Sequence, residues 1–169
     1  MAAVLKHQDA GMGAGHPVPV ALTGRPEKRT YLANLPVHNG RAGLIGYTPQ
    51  LQELISDAMP VAWHVMDRRE RGSEQPLHLF YVNPRESLEC NASRLAEFLR
   101  CLAGKHRTWL PLSSSHTLIL PTMLMCMPQL VGCELSSLTL LHIGDCALRP
   151  GLELFARDSG MSYCFHALY

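Results

Sequence analysis

AWHVMDRRERGSEQPLHLFYVNP, residues 62–84, reads as two apolar segments joined by a charged turn. The first segment, 60–66, is short and carries Trp63 and His64. The linker, 67–76, is charged, contains Gly72 and Ser73, and has no large apolar side chain. The second segment, 77–82, is rich in aromatic and aliphatic residues and ends at Asn83-Pro84. Apolar runs bounded by turn residues are strand signals, and two of them across a polar turn predict an antiparallel pair. On that reading His64 lies close to Asn83, at the end of the neighbouring strand.

Upstream, Thr48-Pro49 has the chemistry of a helix start: a hydroxyl that caps free N–H groups, then a proline pre-set for the first turn. The spacing of Leu51, Leu54 and Ile55 predicts a helix over 49–58 that Pro60 stops. Residues 29–35 read as a short edge strand and 36–46 as a loop. Residues 1–28 are rich in Gly and Pro, show little periodicity, and read as a flexible N-terminal tail.

Downstream, 86–104 gives the clearest helix, with Leu95, Phe98, Leu99 and Leu102 on one stripe. Asn91 or Ser93 can cap it, and Gly104 can end it in the left-handed conformation. Residues 108–115, with Pro111 and three serines, predict a loop, and 116–120 a buried strand. The Met- and Pro-containing run 121–130 fits neither period. Residues 133–143 suit a helix or, over 138–143, a strand. Gly144-Asp145 reads as a turn, 152–157 as a short helix and 162–168 as a closing strand. No repeat of fixed period is visible. One stretch, LTLLHIGDCAL (138–148), resembles a single leucine-rich repeat, whose core forms only by stacking on neighbours.

Strands alternating with helices around an antiparallel pair predict a mixed α+β fold. The expected architecture is a single globular domain over 29–169, with a central mixed sheet and helices packed on it. The 169 residues, 47% of them hydrophobic, suffice for a real core. A net charge of +1 argues against a nucleic-acid partner or an anionic membrane surface. No apolar run approaches the roughly 20 residues of a membrane span, and the N-terminus lacks the apolar core of a cleavable signal. The expected location is the cytoplasm, or outside the cell by a route without such a signal.

Six cysteines occur without a CxxC pair, and nine histidines without zinc-finger spacing, so no metal site is expected. The simplest role for each cysteine is a small buried hydrophobe. A catalytic role would need a base beside the thiol and a third group to orient that base, from any part of the chain. His64 is the candidate base, Asn83 or Asp67 the candidate orienter, and Cys133 or Cys146 the candidate nucleophile. Cys133 would have to open a helix. Cys146 follows Gly144-Asp145 in a strand–turn–helix context, but Pro150-Gly151 would interrupt its helix.

The order of a His-bearing strand, a strand ending before Pro, a helix, a strand and a Cys resembles the YopJ family of secreted bacterial acetyltransferases, related to the papain-like and ubiquitin-like-protease fold. The matching residues are His64 in WHVMD, Asn83-Pro84 in LFYVNP, NASRLAEF from Asn91, and Gln129 to Cys133 in QLVGCELSSL. The resemblance spans about 60–141. It implies a thiol-dependent acyltransferase or cysteine protease of bacterial effector type, acting on a protein, with acetyl-CoA as cofactor. Asn83 stands where that family carries an acidic residue, and the family's long C-terminal part has no counterpart here. The implied protein is therefore a divergent, reduced relative, active or inactive. The competing expectation is a non-enzymatic bacterial adaptor or regulatory protein that binds a protein partner through an apolar surface at Met123–Met127.

Overall fold

The computed structural model describes residues 18–20, 30–34, 37–38, 41–42, 49–69 and 75–168. They form an α+β fold on one mixed sheet, in agreement with the sequence. The sheet runs β1 (Val18–Val20), β2 (Thr30–Ala33), β5 (Leu77–Tyr81), β6 (Arg107–Leu112), β7 (Leu138–Gly144) and β8 (Ser162–Ala167). β1 is antiparallel to β2, and every other neighbouring pair is parallel. A separate short pair, β3 (Val37–His38) and β4 (Arg41–Ala42), is antiparallel. β1 falls inside the stretch expected to be a tail; the rest of that stretch lies outside the described residues.

The hairpin expected over 60–82 does not form. Residues 60–66 belong to α1 (Pro49–Arg69), which runs through Pro60. Leu51, Ile55, Ala58, Met59, Ala62, Trp63 and Met66 recur every three or four residues, and all are buried against one sheet face. Burying a large apolar side chain contributes roughly 1.5–3 kcal/mol, and an interior proline costs ~3 kcal/mol. Trp63 and Met66 together are enough to carry the helix past Pro60. Pro60 is itself exposed. Pro60→Ala should therefore raise the unfolding free energy by about 1–3 kcal/mol. Denaturant titration checks this, and an unchanged or lowered midpoint would count against a continuous helix there.

Three other segments depart from expectation for similar reasons. β6 occupies residues expected to form a loop. Pro111 is tolerated because the β6–β7 ladder ends at Trp109 and Leu140, leaving no donor to supply on that side. Residues 116–120 form the 3-10 turn His116–Leu118 and the start of α3 (Ile119–Cys126), not a strand. Pro121 falls in the first turn of α3, where its missing N–H costs nothing. Of the two options at 133–143, the strand is realised as β7, and Cys133 does not open a helix. α2 (Leu88–Leu102) is capped by Ser87, whose Oγ accepts from Cys90 N at 3.1 Å, in place of Asn91 or Ser93. α4 (Arg149–Asp158) holds Pro150 in its first turn, so Pro150-Gly151 does not interrupt it.

Alternate strand residues point to opposite faces. Phe80, Val82, Trp109, Leu138 and Leu140 meet α2, α3 and α4 on one face. Leu77, Leu79, Tyr81, Leu110, Leu112, Leu141 and Ile143 meet α1 on the other. The strands from β2 to β8 advance across the sheet in one direction, so the crossover through α1 has the opposite hand to those through α2, α3 and α4. The step from β5 to β6 (Leu77 beside Thr108) equals the step from β6 to β7 (Thr108 beside Thr139). The last step, Thr139 to Ser162, is shorter. These are stacked β–α units whose regular spacing is hidden in the sequence, because each helix and turn is filled by different residues. No described helix is long and apolar enough to cross a membrane.

Candidate functional site

The sheet separates the residues proposed for catalysis. His64 lies on the exposed side of α1, and α1 packs on the sheet face opposite α2, α3 and α4. Cys133 is half-buried against the latter layer. It sits beside Cys126, whose thiol burial pushes up to about 12 and so keeps protonated. Asp67 is half-buried on α1. Cys146 is exposed at the carboxyl end of β7, in a cleft lined by no α1 residue among the described ones. The structure thus brings His64 to neither candidate thiol; Asp67 follows it by three residues on the same helix.

Asn83 is buried, and its Oδ1 and backbone N and O are hydrogen-bonded locally. Its Oδ1 accepts from Arg85 N at 3.0 Å, its N donates to Asn91 Oδ1 at 2.9 Å, and its O accepts from Asn91 Nδ2 at 2.9 Å. Asn34 Nδ2 donates to Tyr81 O at 2.7 Å and to Asn91 Oδ1 at 3.0 Å, and Asn91 Nδ2 also reaches Ser87 O at 3.0 Å. Asn34 can do this because it adopts φ 60°, which Asn tolerates better than most residues. Arg94 Nη1 closes the group on Asn34 Oδ1 at 3.0 Å. The three asparagines tie the ends of β2 and β5 to α2.

The chemically varied region is a cleft of about 530 Å³ at the carboxyl ends of β7 and β8, lined by His116, Gly144, Asp145, Cys146, Ala167 and Leu168. Ligands of parallel α/β sheets commonly sit at this end of the strands. The turn after β7 supplies Asp145, whose Oδ1 accepts from Ala147 N at 2.8 Å and starts the 3-10 turn Cys146–Leu148 leading into α4. His142, two residues before Gly144, is 4% exposed. Its Nδ1 meets the Tyr163 hydroxyl at 2.9 Å, and its ring packs on Phe165 with centroids 4.9 Å apart. Burial pushes the His142 imidazole down to about 4; the Asp145 carboxylate opposes this and the His116 ring adds to it. Burial, with Glu153 adding to it, pushes the Tyr163 hydroxyl up to about 12, so that it keeps its proton. The sequence placed Cys146 in its strand–turn–helix setting. It did not single out His116, His142 or Tyr163, because only the β7–β8 register and the α3 approach bring them together. Among the described residues, no group of three or more His, Cys, Asp or Glu is arranged to hold a metal ion.

A second surface feature lies on α3 and the 3-10 turn Met127–Leu130. The Met-rich run is split by its helix geometry. Met123 and Cys126 are buried, whereas Leu124 and Met125 are 52% and 37% exposed, and Val131, just beyond the turn, is 85% exposed. No charged residue occurs between Arg107 and Glu134. Arg100, whose Nη2 donates to Gln129 O at 2.7 Å, and the exposed Glu134 are the charges that adjoin this apolar segment.

The molecule is thus defined as an open, largely parallel β–α sheet with a cleft at its carboxyl edge and an apolar corner on its helical layer. No protein-family model, curated protein or solved structure matches the chain.

Proposed function

We propose that this chain is a non-enzymatic protein-binding module, an adaptor that docks the apolar side of a partner protein on the corner formed by Leu124, Met125 and Val131. The exposure of these three residues in a charge-free segment carries the reading. Clustered exposed apolar side chains with a polar rim mark interaction surfaces, whereas single ones are ordinary. Met125 adds an adaptable side chain suited to fitting an irregular partner. The alternative expectation of a His64-based acyltransferase draws no support from an imidazole on the far side of the sheet from Cys133.

The test is partner capture from extracts of the source cells, with single-residue variants as baits. Val131→Asp and Leu124→Asp should weaken retention of a specific partner by about tenfold or more, as expected for residues at the centre of an interface. Glu153→Lys, on exposed α4, should leave it unchanged. Equal retention by all four proteins, or no partner above the background of the unfolded chain, would defeat the proposal.

A further inference from the structure

We infer that β8 carries a two-fold dimer interface, in which it pairs antiparallel with β8 of a second copy of this chain and the two sheets become one. β8 ends the strand order, and among the described residues no backbone hydrogen bond beyond its ladder with β7 reaches 162–167. One side of the strand thus presents a row of N–H and C=O groups. Sheet edges of this kind recruit another strand unless something blunts them. The opposite edge is blunted: β1 has three residues, and Pro19 among them supplies no donor. β8 has six, Ser162–Ala167, in unbroken register with β7, and holds no Pro, Lys, Arg, Asp or Glu. Tyr163, Cys164 and Phe165 are only half-buried, whereas Leu140, Leu141 and His142 beside them on β7 are buried.

The strand and its helix are complementary to a second copy of themselves. Opposite residues of an antiparallel pair share one face of the sheet, so the two-fold axis must pass through a residue, not between two. An axis at Cys164 sets Tyr163 against Phe165 on both sides, and paired aromatic side chains stabilise antiparallel strands. An axis at Phe165 would set Tyr163 against Ala167 instead. The charges on α4 obey the same symmetry. Arg149 Cζ lies 5.2 Å from the centre of the Phe165 ring. After burial, the Glu153 carboxylate is the group that most raises the Tyr163 hydroxyl, which puts it near that ring. Because Phe165 meets Tyr163 of the second copy, Arg149 is brought beside Glu153 of that copy, and the converse pair forms across the axis. Within one chain the two side chains are 53% and 57% exposed and 3.8 Å apart, so both are open to a second partner. α4 crosses from β7 to β8, so a strand spacing of about 4.8 Å leaves the two α4 helices about 10 Å apart, an ordinary packing distance. Each copy thus offers the other the same patch, as a closed two-fold interface requires.

α4 meets α3 at Gly151 and β8 at Arg149, so this edge is separate from the corner at Leu124, Met125 and Val131. Sedimentation velocity of the full chain should show a dimer that dissociates on dilution. Arg149→Glu and Glu153→Lys each set like charges against each other across the axis, and each should weaken the dimer about tenfold or more. An equimolar mixture of the two variants pairs opposite charges again and should regain the dimer, an outcome that no effect confined to one chain produces. In Cys146→Ser protein, mild oxidation should join two chains through Cys164, as peptide mass spectrometry reads, because residues at the axis have Cβ atoms about 4.5–5.5 Å apart. Glu153→Lys should lose the dimer and keep partner capture, so the failure of either reading is seen apart from the other. A monomer at every attainable concentration, a dimer indifferent to both variants, a mixture no tighter than its components, or oxidation that spares Cys164 would overturn the inference.

Discussion

Asn91→Leu should cost about 3–5 kcal/mol. Asn91 is 1% exposed and uses both ends of its amide. Oδ1 accepts from Asn83 N and Asn34 Nδ2, and Nδ2 donates to Asn83 O and Ser87 O. Leucine has nearly the same shape and none of these bonds. The Asn83 N–H would be left buried without an acceptor, and Asn34 Nδ2 would lose one of its two acceptors. Asn91→Asp gives a second, distinguishable outcome. It keeps both accepted bonds but turns a carboxylate oxygen toward two carbonyls, so its damage should shrink as the pH falls and the carboxyl protonates. Ser93→Ala, exposed on the same helix, should change stability by less than ~0.5 kcal/mol. Urea unfolding of the three variants at neutral and mildly acidic pH measures all of this. A neutral Asn91→Leu would show the asparagine group to be dispensable.

Lowering the pH from 7 to 5 should cost about 4 kcal/mol through two buried histidines, a large share of the roughly 5–15 kcal/mol typical of a domain. Burial pushes His78 down to about 4, with the Arg107 and Lys105 charges adding to the effect. The ring stacks on Tyr31 with centroids 5.0 Å apart and meets Phe98 edge-on, and neither of its nitrogens has a hydrogen-bond partner among the described residues. His142 is pushed down to about 4 as well, again chiefly by burial. The unfolded chain takes up these protons near pH 6.5, whereas the folded chain resists until about 4. The unfolded state therefore binds more protons in between. The stabilising contribution is full above about 6.5 and is lost as the pH falls toward 4. Each ring accounts for roughly 2 kcal/mol between pH 7 and 5, because every pH step of one below the unfolded-state value costs about 1.4 kcal/mol. His78→Leu should remove about half of the drop, and His142→Gln a similar part. A flat stability profile across this range would refute the burial of both rings.

The elements whose apolar spacing extends over several turns are legible in the sequence. The stripe Leu95, Phe98, Leu99 and Leu102 belongs to α2, and all four side chains are buried. The runs 77–82 and 162–168 lie in β5 and β8. Prolines mislead when read as stops. Pro60 lies within α1, Pro111 within β6, and Pro121 and Pro150 in first turns. In each case burial, or a position needing no N–H, outweighs the local rule. The candidate site is less legible. His64 stands out only if it is placed on a strand, and the helix period turns it to solvent. Cys146 is legible from its turn. His142 is not, because one histidine in an apolar strand carries no signal of its own.

By itself, the sequence determined a mixed α/β chain with a real core, a near-neutral surface and a charge-free segment between Arg107 and Glu134. These are properties of composition and local period, fixed wherever the chain goes. Only tertiary structure decided that β5 lies parallel between β2 and β6, that α1 covers the opposite face, and that His116, His142, Cys146 and Tyr163 gather at one sheet edge. Strand order and register join residues far apart in the chain. They are set by which faces bury each other, a choice no local window contains.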